Sequence, residues 1–132
     1  MKIRKYCLDA GGEPVPVDNM SDWAKWYENT ELRRIAETTL GKLWISTVFL
    51  GIDHNFSGSG DPVLWEVMIF CGSDESHPLH EYQERCSGSR KQALQMHART
   101  VQYAQEWLDH DTLPRRWLRI LKRHVKTIRK LF

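Results

Sequence analysis

Residues 34–51, RIAETTLGKLWISTVFLG, and residues 63–71, VLWEVMIFC, carry the strongest strand pattern in the chain and decide its fold. The first stretch predicts a hairpin of Arg34–Leu40 and Lys42–Gly51 that turns at Gly41, because apolar and polar side chains alternate along its second arm. The second stretch is apolar on both faces, which is typical of a central strand. Both stretches together predict a mainly antiparallel sheet.

Weaker strand and helix patterns in the residues before the hairpin predict the first secondary-structure elements. Ile3–Asp9 alternates like a strand, and Pro14–Val17 can only be a short edge strand because proline lacks the N–H that a ladder needs. A helix is expected to follow and to run to about Asn29, with its aromatic residues Trp23 and Trp26 on one face that we expect to be core. Its N-cap is one of three residues: Asp18, Asn19 or Ser21.

Two further elements follow the central strand. Leu79–Cys86 reads as a weaker, more exposed strand. Ser89 followed by Gln92 is a capping-box pattern, which predicts a helix from about Arg90 to His110. The spacing of its apolar side chains predicts the following buried face: Leu94, His97, Val101, Ala104 and Leu108.

These elements predict an α+β fold, with a mainly antiparallel five- to six-stranded sheet covered by two helices. A length of 132 residues suits one domain, and 41% hydrophobic residues with six Trp indicate a folded chain. We expect residues 1–110 to form the core domain. The three cysteines lack CxxC spacing, which indicates free thiols in a reducing cytoplasm, and no apolar run is long enough to span a bilayer.

The charge distribution is the strongest functional signal in the sequence. Residues 1–113 hold eleven Lys/Arg against seventeen Asp/Glu, a net charge of −6, whereas residues 114–132 hold eight Lys/Arg and no acid, a net charge of +8. Such a charge asymmetry gives information about the binding partners of a protein rather than about its fold. Residues 111–132 are therefore treated as a separate segment, a basic C-terminal helix appended to the core.

On a helical projection, the residues of this C-terminal segment separate completely into two arcs. The basic arc, expected to contact nucleic acid or another partner, contains Arg115, Arg116, Arg119, Lys122, Arg123, Lys126, Arg129 and Lys130. The apolar arc, an expected interface, includes Trp117, Ile120, Leu121, Val125 and Ile128. Four arrangements remain open: packing on its own domain, binding nucleic acid, binding a protein or a second copy, and lying on a membrane, which we rank last.

No catalytic motif is recognisable, but four side chains offer acid–base chemistry if they meet. Glu66 lies among apolar neighbours on its strand, Asp53 and His54 end the preceding hairpin, and His97 is central on its helix. Close together they could exchange protons or bind a metal, acting on a nucleotide or phosphoester. His77 and His80 offer a second pair of ligands. Structural roles are the competing expectation: His97 is hydrogen-bonded in the core, and Glu66 pairs with Arg33 or Arg34 across the sheet or accepts hydrogen bonds from loop amides. Both His77 and His80 are expected to be exposed.

The segment Ile45–Phe70, ISTVFLGIDHNFSGSGDPVLWEVMIF, resembles a pattern found in small uncharacterised proteins of bacteriophages and prophage-bearing bacteria. The resemblance covers roughly residues 3–100. It transfers no established activity and implies a small accessory or counter-defence protein. The C-terminal extension departs from the pattern. The matching positions are Trp23, Trp26, Glu28, Arg34, Ala36, Thr38, Ser46–His54, Phe56, Pro62, Glu66, Phe70, Tyr82, Ala93 and His97.

The leading hypothesis is a non-enzymatic binding protein in the cytoplasm of a bacterial host. Its basic C-terminal helix would contact nucleic acid or a host or viral protein, without a cofactor or a metal. Two alternatives remain at this stage: an enzyme that uses Asp53, His54, Glu66 and His97, and a homo-oligomer assembled through the C-terminal helix.

Overall fold

The protein is described from a computed structural model, in which residues 3–110 are described. None of the helices in this part of the chain is long and apolar enough to cross a membrane. The elements in chain order are β1 (Tyr6–Leu8), β2 (Pro14–Pro16), α1 (Met20–Tyr27), α2 (Thr30–Arg33), β3 (Arg34–Leu40), β4 (Leu43–Phe49), β5 (Val63–Phe70), β6 (Tyr82–Ser87) and α3 (Arg90–Asp109).

The main sheet has four antiparallel strands in the order β3-β4-β5-β6. Leu40 pairs with Leu43 across the predicted hairpin turn, where Gly41 has a φ of 57°, a conformation that favours glycine. β5 is a central strand, as its apolar pattern predicts, and β6 lies at the sheet edge. The α+β class is confirmed.

The predicted single sheet of five to six strands is divided into two sheets. β1 and β2 form a separate two-stranded ladder, which meets the chain after β4 through a bridge between Lys5 and Ile52. The Tyr6 N–H donates to the Gly51 carbonyl at 2.9 Å. Gly51 has a φ of 74°, which bends the chain out of strand geometry, so β1 gains only a short contact there.

The hydrophobic core lies between α3 and one face of the main sheet. Alternate positions of the two central strands point to this side, because neighbouring strand residues face opposite ways. Helix α3 contributes small or flexible side chains that permit close packing. The buried core residues of the sheet and helix include Leu43, Ile45, Phe49, Trp65, Val67, Ile69, Ala93, Met96 and Ala104.

Helix α3 begins where the capping box predicts: Ser89 Oγ accepts from the Gln92 N–H, and the Ser89 N–H donates to Gln92 Oε1 at 2.7 Å. Its predicted buried face is partly wrong. His97 and Ala104 are buried, but Leu94 is 40% exposed. The covered stripe is rotated toward Ala93 and Thr100, because these short side chains let the helix approach the sheet.

The early helix is confirmed as α1, with Asn19 as its N-cap; Asn19 Oδ1 accepts from the Asp22 N–H at 3.1 Å. Its aromatic face packs at the end of the sheet that holds Phe49. The Trp26 ring lies 5.4 Å from the Phe49 ring, and the Trp23 indole donates to the Gly51 carbonyl at 3.1 Å. These Trp residues are half-buried, and they anchor α1 against the end of the core.

Candidate functional site

The basic C-terminal segment lies outside the described residues. This holds for its basic side chains, Arg115, Arg116, Arg119, Lys122, Arg123, Lys126, Arg129 and Lys130, and for its apolar ones, Trp117, Ile120, Leu121, Val125 and Ile128. The structure does describe the end of α3 from which this segment leaves. It also describes every candidate for acid–base chemistry.

Glu66 forms an ion pair on the face of the sheet turned away from α3. Its Oε2 accepts from Arg85 Nε at 2.7 Å and from Gln83 Nε2 at 2.7 Å. The predicted pairing with Arg33 or Arg34 is wrong, because β6 lies beside β5 and places Arg85 directly opposite Glu66. The Glu66 carboxylate is thus satisfied by neighbouring strand residues.

His97 is a structural core residue, as the competing expectation holds. Its Nε2 is hydrogen-bonded to Thr38 Oγ1 at 2.8 Å, and its Nδ1 to Thr47 Oγ1 at 2.7 Å. The ring therefore joins α3 to β3 and β4. Burial lowers the pKa of the imidazole below its usual value, which favours the neutral ring.

Asp53 and His54 organise the start of the long loop after β4. The Asp53 carboxylate is buried and accepts from the backbone N–H groups of Asn55 at 2.8 Å and Val63 at 2.9 Å. Arg4 lies 3.6 Å from the same carboxylate. The His54 ring donates from Nδ1 to the Ile52 carbonyl at 2.8 Å. Both side chains thus fix loop geometry.

The four candidate catalytic side chains do not form one cleft. Glu66 and His97 lie on opposite faces of the sheet, because Glu66 alternates with Val67, whose partner Thr47 bonds His97. Among residues 3–110, no group of three or more His, Cys, Asp or Glu side chains is placed to hold a metal ion. The prediction that His77 and His80 are exposed is wrong, because both are half-buried. His77 Nδ1 accepts from the Leu79 N–H, and His80 Nδ1 accepts from the Cys71 N–H.

Four aromatic side chains gather where the C-terminal half of α3 meets β6 and the loop before it. The rings of Tyr82 and Tyr103 lie 5.1 Å apart, and those of His77 and Trp107 lie 6.4 Å apart. We call this group of His77, Tyr82, Tyr103 and Trp107 the aromatic seam. All four are half-buried, and Tyr103 and Trp107 share one face of α3 at a spacing of one helical turn.

Acidic residues lie close to the aromatic seam residues along the chain. Residues 72–84 contain four acids and no Lys or Arg, and residues 100–113 contain three acids and no Lys or Arg. The Glu81 side chain is 74% exposed, whereas Glu84 is less exposed and accepts from the Tyr82 hydroxyl at 3.2 Å. Two of the acids already have a cation nearby: Lys42 lies 3.4 Å from Asp74, and Arg99 lies 3.9 Å from Glu84. We call the described acids the acidic rim: Asp74, Glu75, Glu81, Glu84, Glu106 and Asp109.

The sheet face turned away from α3 carries a second aromatic pair. Trp44 and Phe70 lie opposite each other on β4 and β5, with ring centroids 5.4 Å apart. The Arg34 guanidinium covers the Trp44 ring at 5.2 Å. This face provides no net attraction for an anion, because its charged side chains balance in sign: Arg34, Arg85, Glu37 and Glu66.

Neither aromatic group was predicted from the sequence. The spacing of Tyr103 and Trp107 on one helix could have indicated the seam, but its other half depends on the placement of residues 72–82. The spacing of the apolar residues predicted a buried face of α3 that includes neither Tyr103 nor Trp107.

Comparisons of the chain with protein-family models, with curated proteins and with solved structures found no match. The resemblance to phage and prophage proteins therefore stays a prediction from the motif residues.

Proposed function

We propose that this protein binds nucleic acid through its basic C-terminal segment, residues 114–132. The observation that carries the proposal is the charge distribution: eight Lys/Arg without a single acid follow a stretch of net charge −6. Phosphate backbones attract such clusters of cations, and the release of condensed counterions drives the association. An acidic body, in contrast, repels nucleic acid and confines contact to this segment.

The predicted separation of this segment into two arcs supports the same function. On a helix the basic side chains would face the phosphates while the apolar ones pack on protein. Contacts of this kind read the backbone and not the bases, so binding should be strongly salt-dependent and show little sequence preference. The function is recognition rather than catalysis, consistent with the structural roles of Glu66 and His97.

The biological setting belongs to the proposal as well. The resemblance of Ile45–Phe70 to phage and prophage proteins supports a small accessory protein, with a counter-defence role in the cytoplasm of a bacterial host. The basic segment would be this chain's own addition to the shared body.

Two matched double variants of the full-length protein test the proposal. Lys122→Gln with Lys126→Gln removes two charges from the basic segment, and Lys25→Gln with Lys91→Gln removes two exposed charges from the body. Binding is measured by fluorescence anisotropy with labelled single-stranded and duplex oligonucleotides. At 0.1 M salt, each lost phosphate contact should weaken single-strand binding about fivefold, so the first variant loses about 25-fold.

The control variant should bind within about twofold of wild type, because its charges lie outside the contact segment. Equal weakening by both variants would contradict the proposal, since only overall charge would then matter. Absence of binding by wild type at low salt would also refute it. Co-purification and light scattering would then show whether the segment serves a protein partner or self-association.

A further inference from the structure

We infer that residues 114–132 dock back onto the aromatic seam and the acidic rim of the same chain, and that nucleic acid must displace them. The docking surface is described by the structure, and its occupant is a named segment of the chain. The competition with nucleic acid rests on the proposed function, whereas the docking itself does not.

Chain connectivity places the segment beside the seam. Helix α3 ends at Asp109, two residues after Trp107, and the N–H of its C-cap residue His110 donates to the Trp107 carbonyl at 3.2 Å. Four residues of fully extended chain span about 14 Å, so Pro114 starts within that distance of His110. A short connection of this kind gives a millimolar effective concentration, at which even a weak contact is well populated.

The aromatic seam offers apolar surface to the apolar side chains of residues 114–132. Tyr103 and Trp107 lie on the same side of α3, and Tyr82 adds a ring from the edge strand β6. The apolar arc of the predicted C-terminal helix begins with Trp117, Leu118 and Ile120. Aromatic rings with offset or tilted neighbours accept such side chains favourably.

Charge complementarity is the stronger argument. All the Lys/Arg residues of α3, namely Arg90, Lys91 and Arg99, precede Thr100, and its last turn instead contains Glu106 and Asp109 without a basic residue. Acids at a helix C-terminus oppose the helix dipole, which favours cations there. A segment of charge +8 soon after this turn would compensate these acids, and also Glu75 and Glu81, for which the described residues supply no Lys or Arg partner.

The acidic rim would thus occupy the same cations that bind phosphate. Removing rim charges should weaken docking and strengthen nucleic-acid binding. For two exposed ion pairs, the expected gain in nucleic-acid affinity is about 2- to 30-fold at low salt, and it should vanish at high salt. The test variant is Glu81→Gln with Glu106→Gln, both of which flank seam residues in the chain.

Docking is measured without nucleic acid, on full-length protein carrying ¹⁵N-labelled indoles. The six Trp give six indole N–H signals, and Trp107→Phe identifies the one from the seam. The Trp23 and Trp65 indoles donate to backbone carbonyls away from the seam and serve as internal references. Lys122→Gln with Lys126→Gln should shift the Trp107 signal more than either reference, and so should high salt.

Glu81→Gln with Glu106→Gln should cause a similar Trp107 shift. A matched control, Asp18→Asn with Glu28→Gln, removes two exposed acids at the other end of the sheet and should leave the signal in place. The inference would be overturned if neither high salt nor the double variants of the basic segment and of the acidic rim shifted the Trp107 signal. A signal that moves on tenfold dilution would also overturn it, because the docked segment would then come from a second copy.

The two proposals fail separately. If the Trp107 signal responds as expected but no oligonucleotide binds, docking stands and the proposed function is refuted. If oligonucleotides bind and the rim variant binds no more tightly than its control, the competition is refuted. A rim variant that binds more tightly, with an unchanged control, supports both.

Discussion

Replacement of His97 by alanine tests whether this residue holds the fold together. The imidazole links α3 to two strands through Thr38 at 2.8 Å and Thr47 at 2.7 Å. Thr47 is fully buried, and His97 is 8% exposed. Alanine removes both hydrogen bonds and leaves a buried hydroxyl without its imidazole partner.

The expected loss follows from these contacts. Two hydrogen bonds contribute about 1 kcal/mol each, and an unsatisfied buried hydroxyl costs about 1–3 kcal/mol. The missing ring volume adds to this loss, because the surrounding core relaxes only in part. We therefore expect His97→Ala to lower the free energy of unfolding by about 3–5 kcal/mol, a large share of the total for a domain of this size.

Urea unfolding followed by Trp fluorescence measures this loss. A double-mutant cycle with Thr47→Val separates the hydroxyl from the cavity, because valine has the shape of threonine but no group to satisfy. The second substitution should cost less in the His97→Ala background than in wild type. A His97→Ala loss below about 1 kcal/mol, or strictly additive effects, would refute the structural role.

The remaining predictions concern pH, a cap, an ion pair and a loop. Burial lowers the folded-state pKa of His97 below 6.5, so the unfolded chain binds more protons as pH falls through 6.5. The stability that wild type has over His97→Ala should therefore be complete above that pH and shrink below it. A stability difference that grows as pH falls would contradict this. Gly88→Ala should cost about 1–3 kcal/mol in thermal unfolding, since Gly88 has a φ of 93° and a Cβ there would collide with Gln92 Oε1; Gly58→Ala, with a φ of 82° and open space, should cost less. Arg85→Ala should cost about 1–2 kcal/mol in urea unfolding, because it leaves a Glu66 side chain that is only 12% exposed with Gln83 as its remaining partner, whereas equal stability would show that Gln83 and solvent satisfy the carboxylate. Asp53→Ala should speed proteolysis within residues 54–62, because two backbone N–H groups lose their acceptor, and an unchanged cleavage rate would contradict that role.

Local signals in the sequence predicted much of the fold. The turn at Gly41, the N-cap of α1 (narrowed to Asp18, Asn19 or Ser21) and the capping box at Ser89 each depend on residues close together in the chain, so their patterns are readable without tertiary structure. The α+β class follows from them. The division into two sheets was not predictable, because it depends on how Gly51 redirects the chain and on which distant strand then pairs with β1.

The candidate sites show the same limit. The hydrogen-bonded core role of His97 was the expected one, since a neutral imidazole finds partners readily in a core. The predicted partner of Glu66 was wrong, because the order of strands in the sheet decides whether Arg34 or Arg85 lies opposite Glu66. The aromatic seam was missed for a related reason: its rings come from α3, from β6 and from the loop between β5 and β6.

The salt dependence of oligonucleotide binding by the wild-type protein tests the central claim most directly. If six to eight cations of residues 114–132 contact phosphate, the slope of log affinity against log salt for a single strand should lie between about −4 and −6, with little dependence on sequence. A slope between 0 and about −1, or no measurable binding at low salt, would contradict the claim.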